Sequence, residues 1–269
     1  MNLLSGAHLA VLSAAAAGFL YLGKQWRFFL RACQVLSIVA VAAPLAWLFQ
    51  QGYITHACPL VSPWGVLMTF TGIGIVGAWA ASWRYQSPRI LIAVLALLSL
   101  ALIVAMAGFP PPGHSPLPKS VILPFHIFMV TVGIVAMTLA FVAGLLIILR
   151  SRDLKTAAGF DQDQAHWPSL TALDRLFVRG LGLGPLFLMA GIFLGVESRP
   201  GWVLPESWWY DPKVILTSAS LLLYAAVWGL RRKQGFTTPM VVGLSSLGFV
   251  LIFIGLLASS LFTLGFHKF

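Results

Sequence analysis

The sequence predicts an all-α protein: a polytopic integral membrane bundle of about eight transmembrane helices, with both termini on the outer side. Three observations lead there. Hydrophobic residues fill 59% of the 269 positions, charged residues only 9%, and the mean hydropathy is +0.92. Apolar runs of about 20 residues, long enough to cross a bilayer as helix, recur along the whole chain. Basic residues are shared unequally between alternate connections.

The runs fall near 3–22, 29–50, 63–83, 89–109, 122–149, 176–196, 212–230 and 240–266. In lipid every backbone N–H and C=O needs a partner within the protein, which a helix supplies locally. Eight such helices use most of the chain, so the expected organisation is one membrane domain over 1–269. The first run contains the small residues Ala14–Ala17 but no positive stretch before it. The basic cluster Lys24, Arg27 and Arg31 follows it instead, so it reads as a retained helix rather than a secretory leader. Prolines 110–112 in "FPPPGHSPLPKSV" keep the connection before helix five extended. The connection 150–175 has a polar middle and ends in "PSLTALDR", where Ser169 or Thr171 can cap helix six. Helix six itself, "RGLGLGPLFLMAGIFLG", carries Gly180, Gly182, Gly184, Gly191 and Gly195, small positions where neighbouring helices can come close. It is not a dinucleotide fingerprint, because no strand precedes it and it lies within the membrane. Helix seven begins after "YDP", with Asp211 as N-cap and Pro212 as first helical residue.

The net charge of +10 does not indicate nucleic acid, because its placement follows topology. With the 24–31 connection in the cytoplasm, inner segments hold Lys24, Arg27, Arg31, Arg84, Arg89, Arg150, Arg152, Lys155, Arg175, Arg179, Arg231, Arg232 and Lys233. Outer segments hold only Lys119, Arg199, Lys213 and Lys268, thirteen against four. That is the positive-inside bias of short loops. The two cysteines, Cys33 and Cys58, fall on opposite faces in this arrangement and form no CxxC, which argues against thiol redox chemistry.

Six histidines remain. His8 lies in the first run, His56 and His114 in outer connections, and His166 in the inner one. His126 sits one turn inside the outer end of helix five, and His267 at the outer end of helix eight. The topology brings His126, His267 and the cluster Trp208, Trp209, Tyr210 and Asp211 to one face. Two neutral imidazoles from different helices can ligate a haem iron axially. Aromatic rings can cover a porphyrin, and Lys213 or Arg199 can meet a propionate. Zinc fits less well, since carboxylate or thiolate partners at ligand spacing are missing. The residues equally allow an interfacial histidine and an aromatic belt at the membrane surface.

The stretch "SWWYDPKVILTSASLLLYAAVWGLR" resembles the tryptophan-rich signature of the cytochrome c assembly family, which includes the CcsA/ResC and CcmC haem-handling proteins and a shorter HemX-like branch. "PFHIFMVTVGIVAMTLAFVAGLLIILRSRDLK" is similar to the helix bearing that family's first outer histidine. "PSLTALDRLFVRGLGLGPLFLMAGIFLG" is similar to the lead-in to the signature, and "LGFHKF" to the terminal segment with the second histidine. The likeness is good over about 122–269; before that only the helix pattern matches. It implies a non-covalent, b-type haem on the outer side, with His126 and His267 as iron ligands. Trp208, Trp209, Tyr210, Asp211, Pro212 and Lys213 belong to the signature that frames it. Tyr210 stands where the family has a second tryptophan, and Val214 where it has a glutamate. Gly229 replaces the helix histidine that would serve a second, intramembrane haem site.

The implied function is haem handling in cytochrome c biogenesis, in a bacterial inner membrane. The partners are haem, the lipid bilayer and either cytochrome c maturation proteins or apocytochrome c. No nucleophile–base pair is visible, so the chain's contribution is binding and orientation rather than catalysis. The alternative is a HemX-type regulator or scaffold acting on haem synthesis through a cytoplasmic partner of the 150–175 connection. A transporter is disfavoured by the near-absence of charge within the spans. The topology predicts that a reporter fused after residue 160 is active in the cytoplasm and one fused after residue 269 on the outer side. Reporter activity of the two fusions, measured in cells, checks the orientation.

Overall fold

The computed structural model describes residues 3–56, 58–108, 122–155, 167–198, 211–235 and 237–261. Among these residues the regular structure is entirely helical. The order is α1 (Leu3–Lys24), α2 (Arg27–Thr55), a 3₁₀ turn (Pro59–Val61), α3 (Pro63–Arg84), α4 (Pro88–Gly108), α5 (Ile122–Lys155), α6 (Leu170–Glu197), α7 (Pro212–Gln234) and α8 (Pro239–Leu261). Helices α1 to α7 are long and apolar enough to cross a membrane, and α8 is apolar over Pro239–Gly255. The protein is therefore a multi-pass membrane protein built as a helical bundle.

Helix ends follow local chemistry. Ser62 precedes α3, accepts from the Gly65 amide at 2.9 Å, and is followed by Pro63. At α6 the cap is Ser169, whose side chain accepts from the Ala172 amide at 3.1 Å. This cap starts the helix at Leu170, earlier than its apolar run alone suggests. Helix α5 has 34 residues, about 51 Å at the usual rise. That exceeds the hydrocarbon thickness, so its basic end "RSRDLK" continues the helix beyond the bilayer.

The central pair is α5 with α6, packed antiparallel through glycines. A Cβ at Gly180 would lie 2.5 Å from the Ala136 carbonyl oxygen, and one at Gly184 2.5 Å from Met137 Cγ. From the other side, a Cβ at Gly133 would lie 2.8 Å from the Leu188 amide and 2.9 Å from the Gly184 oxygen. Farther along, Gly191 meets Val130 and Gly144 meets Phe177. Only small residues let two backbones come this close, and in lipid that close packing drives association.

The remaining helices build outward from this pair. Helix α3 meets α5 through Gly77 against Val135 and Leu139. Trp79 Nε1 of α3 donates to Ser37 Oγ of α2 at 2.8 Å. Gly18 of α1 faces Cys33 of α2 and Ile92 of α4. Helices α7 and α8 form an antiparallel hairpin: Ser220 Oγ donates to the Gly248 carbonyl at 2.7 Å, and the Tyr224 ring lies against Gly248. Helix α8 docks on α5 through Val242 at Gly144 and a stacked pair, Phe141 and Phe249, with centroids 4.8 Å apart. Helix α7 runs along the edge and reaches α6 through Trp228 at Gly182.

One end of the bundle carries the thirteen basic residues of the α1–α2, α3–α4, α5–α6 and α7–α8 connections. There Arg231 of α7 donates to Asp174 Oδ2 of α6 at 2.8 Å and to Thr237 Oγ1 at 3.1 Å, and the Thr237 hydroxyl donates to Asp174. This small ring of bonds ties α6, α7 and the entry to α8 together.

Gly180→Ala is expected to destabilise the protein by about 1–3 kcal/mol, because the new methyl meets rigid backbone and forces the helices apart. Gly229→Ala, whose Cβ would meet nothing within 4 Å, is expected to cost nothing measurable. Unfolding of both variants in mixed detergent micelles, against the unsubstituted protein, checks the difference.

Candidate functional site

The end of the bundle opposite the basic one carries the expected site residues that fall within the described ones. Antiparallel pairing of α5 with α6 puts the start of α5 beside the end of α6. The Asp174–Arg231 bond puts the start of α7 at that same end. Helix α8, starting beside Arg231 and passing Leu216 at Gly255, also ends there. Four of the expected site residues fall within the described residues: His126, Asp211, Pro212 and, for its backbone, Lys213. Trp208, Trp209, Tyr210 and His267 lie outside them, as do His114, His166 and Arg199.

His126 is half-buried, one turn into α5. Its Nδ1 lies 2.6 Å from the Gly191 carbonyl oxygen of α6. A carbonyl oxygen only accepts, so Nδ1 carries the proton, and in the neutral ring the basic lone pair is on Nε2. This is the tautomer that a metal-ligating imidazole needs, and a backbone carbonyl on the other nitrogen is its usual support. The ring reaches that carbonyl because residue 195 is glycine. A Cβ there would lie 2.8 Å from both Cε1 and Nδ1 of His126.

Asp211 is only 3% exposed. Its carbonyl accepts from the Ile215 amide at 3.1 Å, and Pro212 is the first residue of α7. The helix start read from the sequence is therefore present, and the aspartate sits inside the fold rather than in solvent.

The other described histidines differ. His56 is exposed and ends α2 with a left-handed backbone, φ 49°. His8 is 2% exposed, with its ring edge-on to Trp64 of α3 at 5.6 Å between centroids. Its nitrogens make no hydrogen bond of normal geometry, and the polar group beside it is the Leu4 carbonyl of its own helix. Among the described residues no three of His, Cys, Asp and Glu converge as a metal site requires. Cys33 and Cys58 are both free thiols.

At the basic end, the Arg89 guanidinium stacks over Trp167 at 3.9 Å, Arg150 donates to the Pro168 carbonyl, and Arg179 donates to Tyr85 Oη at 3.3 Å. These contacts pin the exit of α5 and the entry of α6. Of the 150–175 connection, on which the regulatory reading rests, residues 156–166 lie outside the described residues.

The contribution of Gly191 and Gly195 to the histidine's setting is absent from the sequence reading, which treats them only as small packing positions. Their spacing of four on α6 is the signal that points to a shared helix face. A family model described as "Cytochrome C assembly protein" matches residues 6–267 of the chain. Among curated proteins and among solved structures, nothing matches.

Proposed function

From the premise that this chain belongs to the cytochrome c assembly protein family, with a role in cytochrome c biogenesis, we propose that it binds haem non-covalently. The site would be the end of the bundle where α5 begins, with His126 and His267 as the residues that would hold the iron. The observation that carries this reading is the 2.6 Å approach of His126 Nδ1 to the Gly191 carbonyl oxygen. Nδ1–H donates to that carbonyl, so Nε2 keeps the lone pair that iron requires.

The remaining residues take supporting roles. Trp208, Trp209 and Tyr210 cover the porphyrin plane or its edges. Asp211 and Pro212 fix the start of α7, and Lys213 supplies a cation for a propionate. When bound, haem supplies the vinyl groups from which thioether attachment to a cytochrome c proceeds. The chain itself binds, orients and excludes water around that group. Handing the cofactor to cytochrome c maturation proteins or to apocytochrome c, at the outer face of a bacterial inner membrane, completes the proposed role.

The test is absorption spectroscopy of the protein purified in detergent and supplemented with haem, oxidised and reduced. The unsubstituted protein is expected to show a low-spin bis-histidine spectrum. His126→Ala and His267→Ala are each expected to abolish that spectrum, while His56→Ala leaves it intact. No Soret band in the supplemented protein, or full retention of the low-spin spectrum in His126→Ala, overturns the proposal.

A further inference from the structure

We propose that Gly191 and Gly195 form an imidazole notch, with Gly195 as a positioning residue that fixes the tautomer and ligand strength of His126. The proposal rests on the haem reading for its effect on the cofactor, but the notch itself belongs to the protein without haem.

In a helix the carbonyl of residue 191 accepts from the amide of residue 195, four positions on. A carbonyl oxygen has a second lone pair, ordinarily shielded by the side chain of the residue one turn above. With glycine at 195 that shield is missing, and His126 Nδ1 comes to 2.6 Å from the oxygen. A methyl at 195 would stand 2.8 Å from the same Nδ1 and 2.8 Å from Cε1, on the line of approach. The ring is the movable partner, so it swings away and the bond breaks. The neighbouring contact sets the depth of the notch: a Cβ at Gly191 would lie 2.5 Å from Val130 Cγ2 and 2.9 Å from the Val130 amide, one turn farther along α5 than His126. That tight contact holds α5 close to α6 just below the ring.

The chemical consequence follows from the donor role of Nδ1. A short bond to a carbonyl draws the proton from the ring, raises the basicity of Nε2 and strengthens it as a ligand. A more basic axial ligand favours ferric over ferrous iron and lowers the midpoint potential. Freed from the notch, His126 can also take the other neutral tautomer, whose protonated Nε2 cannot ligate.

Two measurements test the proposal. The first uses haem-free protein labelled with ¹⁵N-histidine, the His126 signals being assigned by comparison with His126→Gln. The unsubstituted protein is expected to show a protonated Nδ1 and an unprotonated Nε2, and Gly195→Ala to show a mixture of tautomers. A protonated Nε2 in the unsubstituted protein overturns the notch whatever the haem result. The second measures haem affinity and midpoint potential in the loaded protein. Gly195→Ala is expected to weaken haem binding by about 10–100-fold and to raise the potential. Gly184→Ala, which crowds Met137 and the Gly133 carbonyl on the same helix pair, is expected to leave the potential unchanged. Equal shifts in both variants assign the effect to helix separation and overturn the positioning role. If the unsubstituted protein binds no haem, the haem reading fails by itself, and the tautomer measurement still decides the notch.

Discussion

Close backbone contact between α5 and α6 is the constraint on which the rest depends. In lipid, burying apolar surface does not pull helices together, so association relies on packing and on the few polar bonds available. Glycines 133, 180 and 184 let the two backbones meet, with carbonyl oxygen and amide groups where side chains would otherwise stand. Such a contact has one register. Sliding one helix by a single residue moves a side chain by 1.5 Å along the axis and rotates it by about 100°. Farther along the same pair, Gly191 and Gly195 meet Val130 and His126.

The other ties distribute this order to the ends of the bundle. At the basic end, Asp174, Arg231 and Thr237 close a ring of bonds among α6, α7 and the entry to α8. The ring is partly exposed, so its value lies less in net stability than in orienting three elements. Along the membrane, Ser220 and the Tyr224 ring join α7 to α8 at Gly248, and Val242 and Phe249 join α8 to α5. The start of α7, where Asp211 is buried, is thus carried by a helix fastened at its far end and along its length.

Much of the fold was legible because its cause is local. Apolar run length marks the helices, and the serine just ahead of the apolar stretch, Ser169, marks the start of α6. Asp211 and Pro212 mark the start of α7 in the same way. The basic bias separates the two ends. What is not local was not legible. Helix α5 extends to Lys155 because charged residues can continue a helix outside lipid, where hydropathy has no say. The burial of His8 against Trp64 depends on which faces of α1 and α3 meet. The bond from His126 to Gly191 joins residues 65 apart in sequence and depends on the α5–α6 register. The family likeness indicated which histidine to watch, but not what supports it.

Glycines spaced by four are read in membrane helices as places where another helix comes close, and α6 shows why that reading is incomplete. At 180 and 184 the missing side chains admit a backbone. At 191 and 195 the same spacing on the same helix admits first a backbone and then a ring, because α5 presents Val130 and then His126. The partner residue, not the glycine pattern, decides the outcome. A histidine whose function is only to sit at the membrane surface gains most from water at both nitrogens. His126 instead commits Nδ1 to a carbonyl already engaged in its helix, which orders the ring and leaves the basic nitrogen defined. Ordering a side chain in this way costs conformational entropy, and the arrangement gives a ring held in one orientation.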